Sequence, residues 1–237
     1  MPQIVDLSID SVDRSEVLRY MGYAGQEYDP SLDQRIDQAI ARAIEVSRPR
    51  ASIDFFDVES REARDDGTPV LRLRGTSIEL AGHSMEEHMA DAVAVGVLAV
   101  TLGMGDEREL HRLGLTDHVG QILLDSASTT LVERAADAAE SFIVAEATRR
   151  GLYTNFRFSP GYGDLPLSIQ PTILSALDAT RRLGITLSPT LLMTPTKSVT
   201  AVVGMCTRPQ ASTRRSCKGC PCFDFCTIRP TGRTCHG

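Results

Sequence analysis

The chain has 237 residues, 42% of them hydrophobic and 24% charged, with a formal net charge of −6, six cysteines and no tryptophan. That composition excludes global disorder, and a chain of this length can bury a sizeable core without covalent staples. The longest apolar run, residues 92–105, is bounded by Asp91 and Asp106 and falls short of the ~20 residues needed to cross hydrocarbon.

The amino terminus, Met-Pro-Gln-Ile-Val-Asp, lacks the basic segment that opens a secretory signal, so a soluble, cytoplasmic protein is expected. Residues 1–30 are polar and mixed, with a short helix predicted over 11–20 and stopped by Gly22. Asp29-Pro30 has the form of an N-cap followed by a first-turn proline. Leu32, Ile36, Ala39, Ile40 and Ala43 then recur at helical spacing, predicting a helix to about Val46 that Pro49 ends. Residues 53–58, 69–73 and 77–80 are short β-prone pieces. The apolar run at 93–102 suits a strand buried on both faces or a buried helix, and periodicity does not separate the two.

Residues 106–124 are helical in pieces, and 128–150 form a long Ala-rich helix ending before Gly151. A Gly/Pro-rich loop occupies 155–166, a helix 171–183 is stopped by Gly184, and strands follow near 185–193 and 197–204. Strands and helices intersperse without regular βαβ alternation. The expected class is α+β, a mixed, largely antiparallel twisted sheet flanked by helices.

Five of the six cysteines lie at or after position 217, and residues 206–237 hold six Arg or Lys against the single acid Asp224. The expected division is an acidic domain over 1–205 and a basic, cysteine-rich tail over 206–237. The tail reads Cys217-x2-Cys220-x-Cys222-x3-Cys226-x8-Cys235, with Cys206 upstream and His236 beside the last. Thiolates this close suit a soft metal, as an iron–sulfur cluster or zinc. Disulfides compete less well in a chain read as cytosolic. The spacing matches neither the paired C-x2-C of a zinc ribbon nor a ferredoxin run. The C-x3-C-x2-C of radical enzymes is also missing, because Thr227, Ile228 and Arg229 follow Cys226.

The central loop reads Arg157-Phe158-Ser159-Pro160-Gly161-Tyr162-Gly163-Asp164-Leu165-Pro166. Arg157 can hold a carboxylate in a bidentate fork. Gly161 and Gly163 allow positive φ or close approach to a ligand, and Tyr162 offers a π-face to a cation or an adenine edge. The same residues also make an ordinary connecting loop, and residue types alone leave both readings open. Glu133 and Asp137 stand four apart on the Ala-rich helix with Glu140 three further on, a pattern that by itself usually marks a solvated face.

This loop resembles the ligand loop of the activation domain of cobalamin-dependent methionine synthase, whose pattern is R-x-x-P-G-Y followed by a proline. Ala99-Val-Thr-Leu-Gly, Leu123-Leu-Asp, the helix carrying Glu133 and the closing strand Pro195-Thr-Lys-Ser-Val-Thr-Ala-Val-Val-Gly resemble that family's order of elements. The likeness is strongest over 90–205 and weak over 1–90. It implies a domain that binds S-adenosylmethionine and supports reductive methylation of cob(II)alamin, coupling one-electron reduction to polar methyl transfer. It further implies that Arg157 holds the methionyl carboxylate, that Ser159, Gly161 and Tyr162 contact ligand through backbone and ring, and that Glu133 faces its positive end. The family's tyrosine in the closing strand is not matched, since Val199 stands there, and the pattern does not place the acidic ligand residue of its amino-terminal segment.

No D-x-H-x-x-G cobalamin pattern occurs. The expected partner is therefore a separate corrinoid protein, or a methionine synthase lacking its own activation domain, together with an electron donor. The chain then acts in trans as a methyltransferase-type component. The alternatives are a non-enzymatic metal-binding adaptor of a corrinoid or redox system, and a reactivator of another corrinoid methyltransferase.

Other signals are weaker. Gly103-Met-Gly105 resembles the start of a dinucleotide loop but lacks its third glycine, and Asp106 and Glu107 would repel a pyrophosphate. His83 and His88 are five apart where a zinc-protease helix needs four, which points to surface or loop histidines. Gly114 argues against one helix carrying both His111 and His118. The acidic body and the single aromatic pair in the tail, Phe223 and Phe225, argue against nucleic acid.

Overall fold

The apolar run at 93–102 is a strand, and the rest of the fold is arranged around it. A computed structural model describes residues 1–23 and 26–210. Its elements in chain order are β1 (Gln3–Asp6), α1 (Arg14–Tyr20), α2 (Leu32–Val46), β2 (Arg50–Ala63), β3 (Pro69–Leu73), β4 (Glu79–Ala81) and α3 (His83–His88). They continue through β5 (Ala92–Thr101), α4 (Met104–Thr116), α5 (His118–Arg149), β6 (Tyr153–Thr154) and a 3-10 turn (Leu167–Ile169). The remainder are α6 (Gln170–Ala176), α7 (Ala179–Leu183), β7 (Thr186–Leu187), β8 (Met193–Thr194) and β9 (Ser198–Cys206).

Main-chain pairing gives the order β4-β3-β2-β5-β9-β6, with β1 also on β2, and every pairing is antiparallel. β5 pairs with β2 from Ala94 to Thr101 and with β9 along its whole length. Valines at 93, 95, 97 and 100 suit this pleated environment, and helices cover both faces. Leu98 and Val100 face one core, built on α1, α2, α4 and α5; Val95, Val97 and Ala99 face the other, built on α3, α6 and α7. An apolar run with no period follows directly from burial on both sides.

The 32-residue α5 lies across one face. Its small residues Ala135, Ala139 and Ala147 are buried, with Ile143 set so close to Gly96 that a Cβ there would stand 2.5 Å from the Ile143 side chain. Close approach of helix to sheet is what the alanines and Gly96 permit.

Several boundaries differ from the sequence reading. β1 lies in the polar amino-terminal segment, where the pattern gives no strand; pairing with Arg50–Ile53 of β2 makes it one. α2 starts at Leu32, after a turn in which the Asp29 carboxylate accepts from Ser31 N–H. β2 is much longer than 53–58 because its first half pairs with β5 and its second half with β3. α5 begins at His118, ten residues before the predicted start, since Asp117 accepts from Gly120 N–H and caps it. The break from α4 is therefore at Asp117, and Gly114 lies inside α4. The predicted helix over 171–183 is two helices, divided at Asp178 in a left-handed conformation with φ of 49°. The predicted strand near 185–193 is a small hairpin, Thr186–Leu187 with Met193–Thr194. Among the described residues no helix is long and apolar enough to cross a membrane.

Candidate functional site

After α5 the chain runs back along β9 as an irregular outer strand. Tyr153 and Thr154 pair with Cys206 and Met205, Asn155 N–H donates to Gly204 O, and Phe158 exchanges two hydrogen bonds of 2.9 Å with Val202. This anchorage fixes the start of the Gly/Pro-rich loop at the sheet edge. Alternation along the segment then sends Arg157 toward α5 and Phe158 toward the α3-side core.

The loop is held from its other side by α3. Asn155 Nδ2 donates to His88 O, Asn155 Oδ1 accepts from Gly204 N, and His88 Nε2 lies 2.8 Å from Phe156 O. The His88 ring also packs on Phe156 and Phe158, with centroids 4.3 and 5.2 Å away. Asp164 accepts from Ser84 N–H at 3.0 Å; burial works against its ionisation, but backbone N–H groups of Ser84 and His83 hold its carboxyl below the ordinary value. A Cβ on Gly82 would sit 2.3 Å from Asp164, so glycine is required where loop and helix meet. His83 is exposed, as expected, but His88 is a half-buried support for the loop and not a surface histidine. The helix that orients it is too short to show a period.

The loop tip turns at Gly161, whose φ is 90° and whose N–H donates to Leu165 O. Ser159 O accepts from Tyr162 N–H, Pro160 and Leu165 are buried, and Tyr162 stands exposed at the tip. A chain anchored through buried Pro160 and Leu165 presents the four residues between them outward.

Arg157 is the buried charge of the site, with a side chain 11% exposed. Its Nη2 donates to Glu133 Oε2 at 2.7 Å, and its Nη1 to Asp137 Oδ1 at 2.5 Å and Glu140 Oε2 at 2.8 Å. The three acids stand on one stripe of α5, at spacings of four and three. Burial alone would lower the Arg157 pKa; the Asp137 hydrogen bond and the charges of Asp137 and Glu133 outweigh it and hold the guanidinium above its ordinary value. Of five guanidinium N–H groups three are used, so Nε–H and one Nη2 hydrogen have no protein acceptor among the described residues. The structure thus brings together Arg157 and Glu133, which sequence reasoning singled out, with Asp137 and Glu140, which it treated as a solvated face. The signal for the other two was their i, i+4, i+7 register with Glu133.

Tyr20, at the end of α1, lies close enough to Glu133 to feel its charge. Burial holds the phenol above its ordinary pKa, an Arg19 hydrogen bond opposes that, and the Glu133 carboxylate adds to it. The Arg19 guanidinium stacks on the Tyr20 ring at 4.3 Å. Val199, by contrast, packs into the α5-side core.

A second polar cluster lies at the start of α4. Asp106 is 1% exposed; its Oδ1 accepts from Ser128 Oγ at 2.5 Å, and its Oδ2 has no partner among the described residues. Around it, Glu107 accepts from Thr196 N–H and Oγ1–H, and Lys197 pairs with Asp125 at 2.7 Å. Gly105 serves the packing of α4 on α2: a Cβ there would lie 2.1 Å from Val46 O.

Cys206 ends β9 in the α3-side core as a free thiol, which burial pushes up in pKa. The residues after it turn back onto Asp91, which accepts Thr207 N–H at its carbonyl and pairs with Arg208 through its carboxylate. Cys217, Cys220, Cys222, Cys226, Cys235 and His236 lie outside the described residues. Among the described residues no group of three or more His, Cys, Asp or Glu is placed to hold a metal.

No protein-family model matches the chain, and a search of curated proteins finds no match. Solved structures do match. One is the crystal structure of the MetH reactivation domain bound to AdoHcy, with 16% sequence identity and a TM-score of 0.63 over 99% of this chain and 87% of that one. At that identity the likeness is one of fold: the chain has the reactivation-domain fold, a curled antiparallel sheet between helices.

Proposed function

We propose that this chain binds S-adenosylmethionine at the Arg157 loop and supports reductive methylation of cob(II)alamin carried by a separate corrinoid protein. A methionine synthase lacking its own activation domain is the partner that fits best. The observation that carries this reading is the largely buried Arg157, fixed at the sheet edge by the Phe158–Val202 pairing and held by carboxylates on α5, with an exposed Gly161–Tyr162 tip following in the same loop. The neighbouring fold was solved with AdoHcy, which is what remains of S-adenosylmethionine after its methyl group leaves.

In this reading the residues have positional roles. Arg157 receives the methionyl carboxylate, using Nε–H and the remaining Nη2 hydrogen. Glu133 faces the positive end of the ligand. Ser159 and Gly161 contribute backbone contacts, and the Tyr162 ring lies against the ligand at the tip. A sulfonium methyl is already activated, so no general acid or base is needed. Orientation of the methyl toward the nucleophile is the contribution asked of the protein. The corrinoid of the partner supplies the cobalt nucleophile, and a separate donor supplies the electron.

The cysteine-rich segment adds a metal to this proposal, as an iron–sulfur cluster or zinc on Cys217, Cys220, Cys222, Cys226 and Cys235. Its support is the thiol spacing alone. The testing experiment is anaerobic: this protein, a chemical reductant, cob(II)alamin and S-adenosylmethionine, followed by absorbance. Protein-dependent methylcobalamin formation is expected, and its absence with loaded corrinoid partner present would overturn the reactivation role. The same preparation should carry iron with sulfide, or zinc. A preparation with none of them removes the metal, and zinc without methylation favours the adaptor reading.

A further inference from the structure

Arg157 has more acceptors than one cation needs. Glu133, Asp137 and Glu140 surround it, leaving two negative charges in excess. The three carboxylates are not equivalent. Glu140 is the most buried, with 22% of its side chain exposed, and Glu133 alone occupies Nη2. Asp137 shares Nη1 with Glu140 and is 59% exposed. As an aspartate it needs only a χ1 rotation to carry its carboxylate into water, where it is solvated at little cost. Arg157 would keep two carboxylates after that rotation and remain neutralised and held.

We propose that Asp137 is an internal stand-in for the charge of the ligand's carboxylate: it holds Arg157 Nη1 until an amino-acid α-carboxylate docks on Nε–H and the second Nη2 hydrogen, and the added negative charge then drives it out into water. This rests on the reading that the Arg157 loop binds S-adenosylmethionine. Asp137 is then a specificity-determining residue. It keeps the buried guanidinium paired between turnovers and sets a threshold that only a ligand with a well-placed carboxylate passes. A molecule with the adenosyl group but no carboxylate has nothing to exchange for it.

The test is equilibrium dialysis with S-adenosylmethionine on wild type, Asp137→Ala, Glu140→Ala and Arg157→Ala, beside thermal melts of each protein without ligand. Asp137→Ala is expected to bind about two- to fivefold more tightly, the scale of one exposed ion pair. Its melting temperature should fall less than that of Glu140→Ala, which should also bind more weakly. Unchanged or weaker binding by Asp137→Ala, or a melting temperature lowered as far as in Glu140→Ala, makes Asp137 a structural partner and overturns the proposal. Should wild type and Asp137→Ala bind no more tightly than Arg157→Ala, the binding reading itself falls and takes this inference with it.

Discussion

Alanine at Gly105 should destabilise the fold by about 3 kcal/mol or more, at the upper end of what overpacking costs. The new Cβ would stand 2.1 Å from the Val46 carbonyl oxygen, a backbone atom at the end of α2 that no rotamer change can move aside. Intrinsic propensity pulls the other way, by at most about 1 kcal/mol, the helix-interior value, because Gly105 is only the second residue of α4, so the sign of the result separates the two effects. Gly114 in the same helix is the control. A Cβ there meets only the end of the flexible Gln121 side chain, at 2.9 Å, and Gly114→Ala should leave stability unchanged or slightly raised. Urea denaturation of both variants reads this out. Equal midpoints for the two would show that α4 and α2 do not pack as described. Gly103-Met-Gly105 therefore carries the form of a phosphate-binding turn for a different reason: two helix ends meet there.

The second large effect is a pH dependence at Asp106. Desolvation raises its carboxyl pKa from 3.8 to about 6; Ser128 and Lys197 oppose the shift, and Glu107 and Asp125 add to it. Between pH 4 and 6 the folded protein holds a proton that the unfolded chain has released. Rising pH therefore favours the unfolded state through this window. The contribution is neutral below about pH 4 and reaches its full cost above about pH 6. A shift of about two units corresponds to about 3 kcal/mol. Asp106→Asn removes this titration while keeping an acceptor for Ser128. The stability difference between variant and wild type should therefore swing by about 2–3 kcal/mol in the variant's favour from pH 3.5 to pH 7.5. A difference that is flat across that range would show that Asp106 is solvated.

The double-sided burial of the central element and the long helices were legible because burial leaves a direct imprint. An unbroken apolar run such as 93–102 must be covered on both faces, and the alanines of α5 announce close packing. What stayed hidden depends on partners distant in sequence. β1 is polar and becomes a strand only by pairing with β2, and the break at Asp178 uses a left-handed residue that is not glycine. The site divides in the same way. Arg157 and the turn residues stand out by chemistry within one short segment, and Glu133 was reached through resemblance. Asp137 and Glu140 form an ordinary exposed stripe until Arg157 is placed against it from 17 to 24 residues away. His88 likewise takes its role from Phe156, 68 residues on.

The central claim is that Arg157 anchors S-adenosylmethionine, and isothermal titration calorimetry on wild type and Arg157→Ala tests it most directly. A saturable one-to-one isotherm is expected for wild type. Loss of the charge-assisted fork should weaken binding by about 30-fold or more in Arg157→Ala, given ~2–3 kcal/mol for hydrogen bonds to a buried ionised group. Far-ultraviolet circular dichroism would confirm that the variant remains folded. A folded Arg157→Ala protein that binds as tightly as wild type, or a wild type that gives no heat at millimolar ligand, would contradict the account.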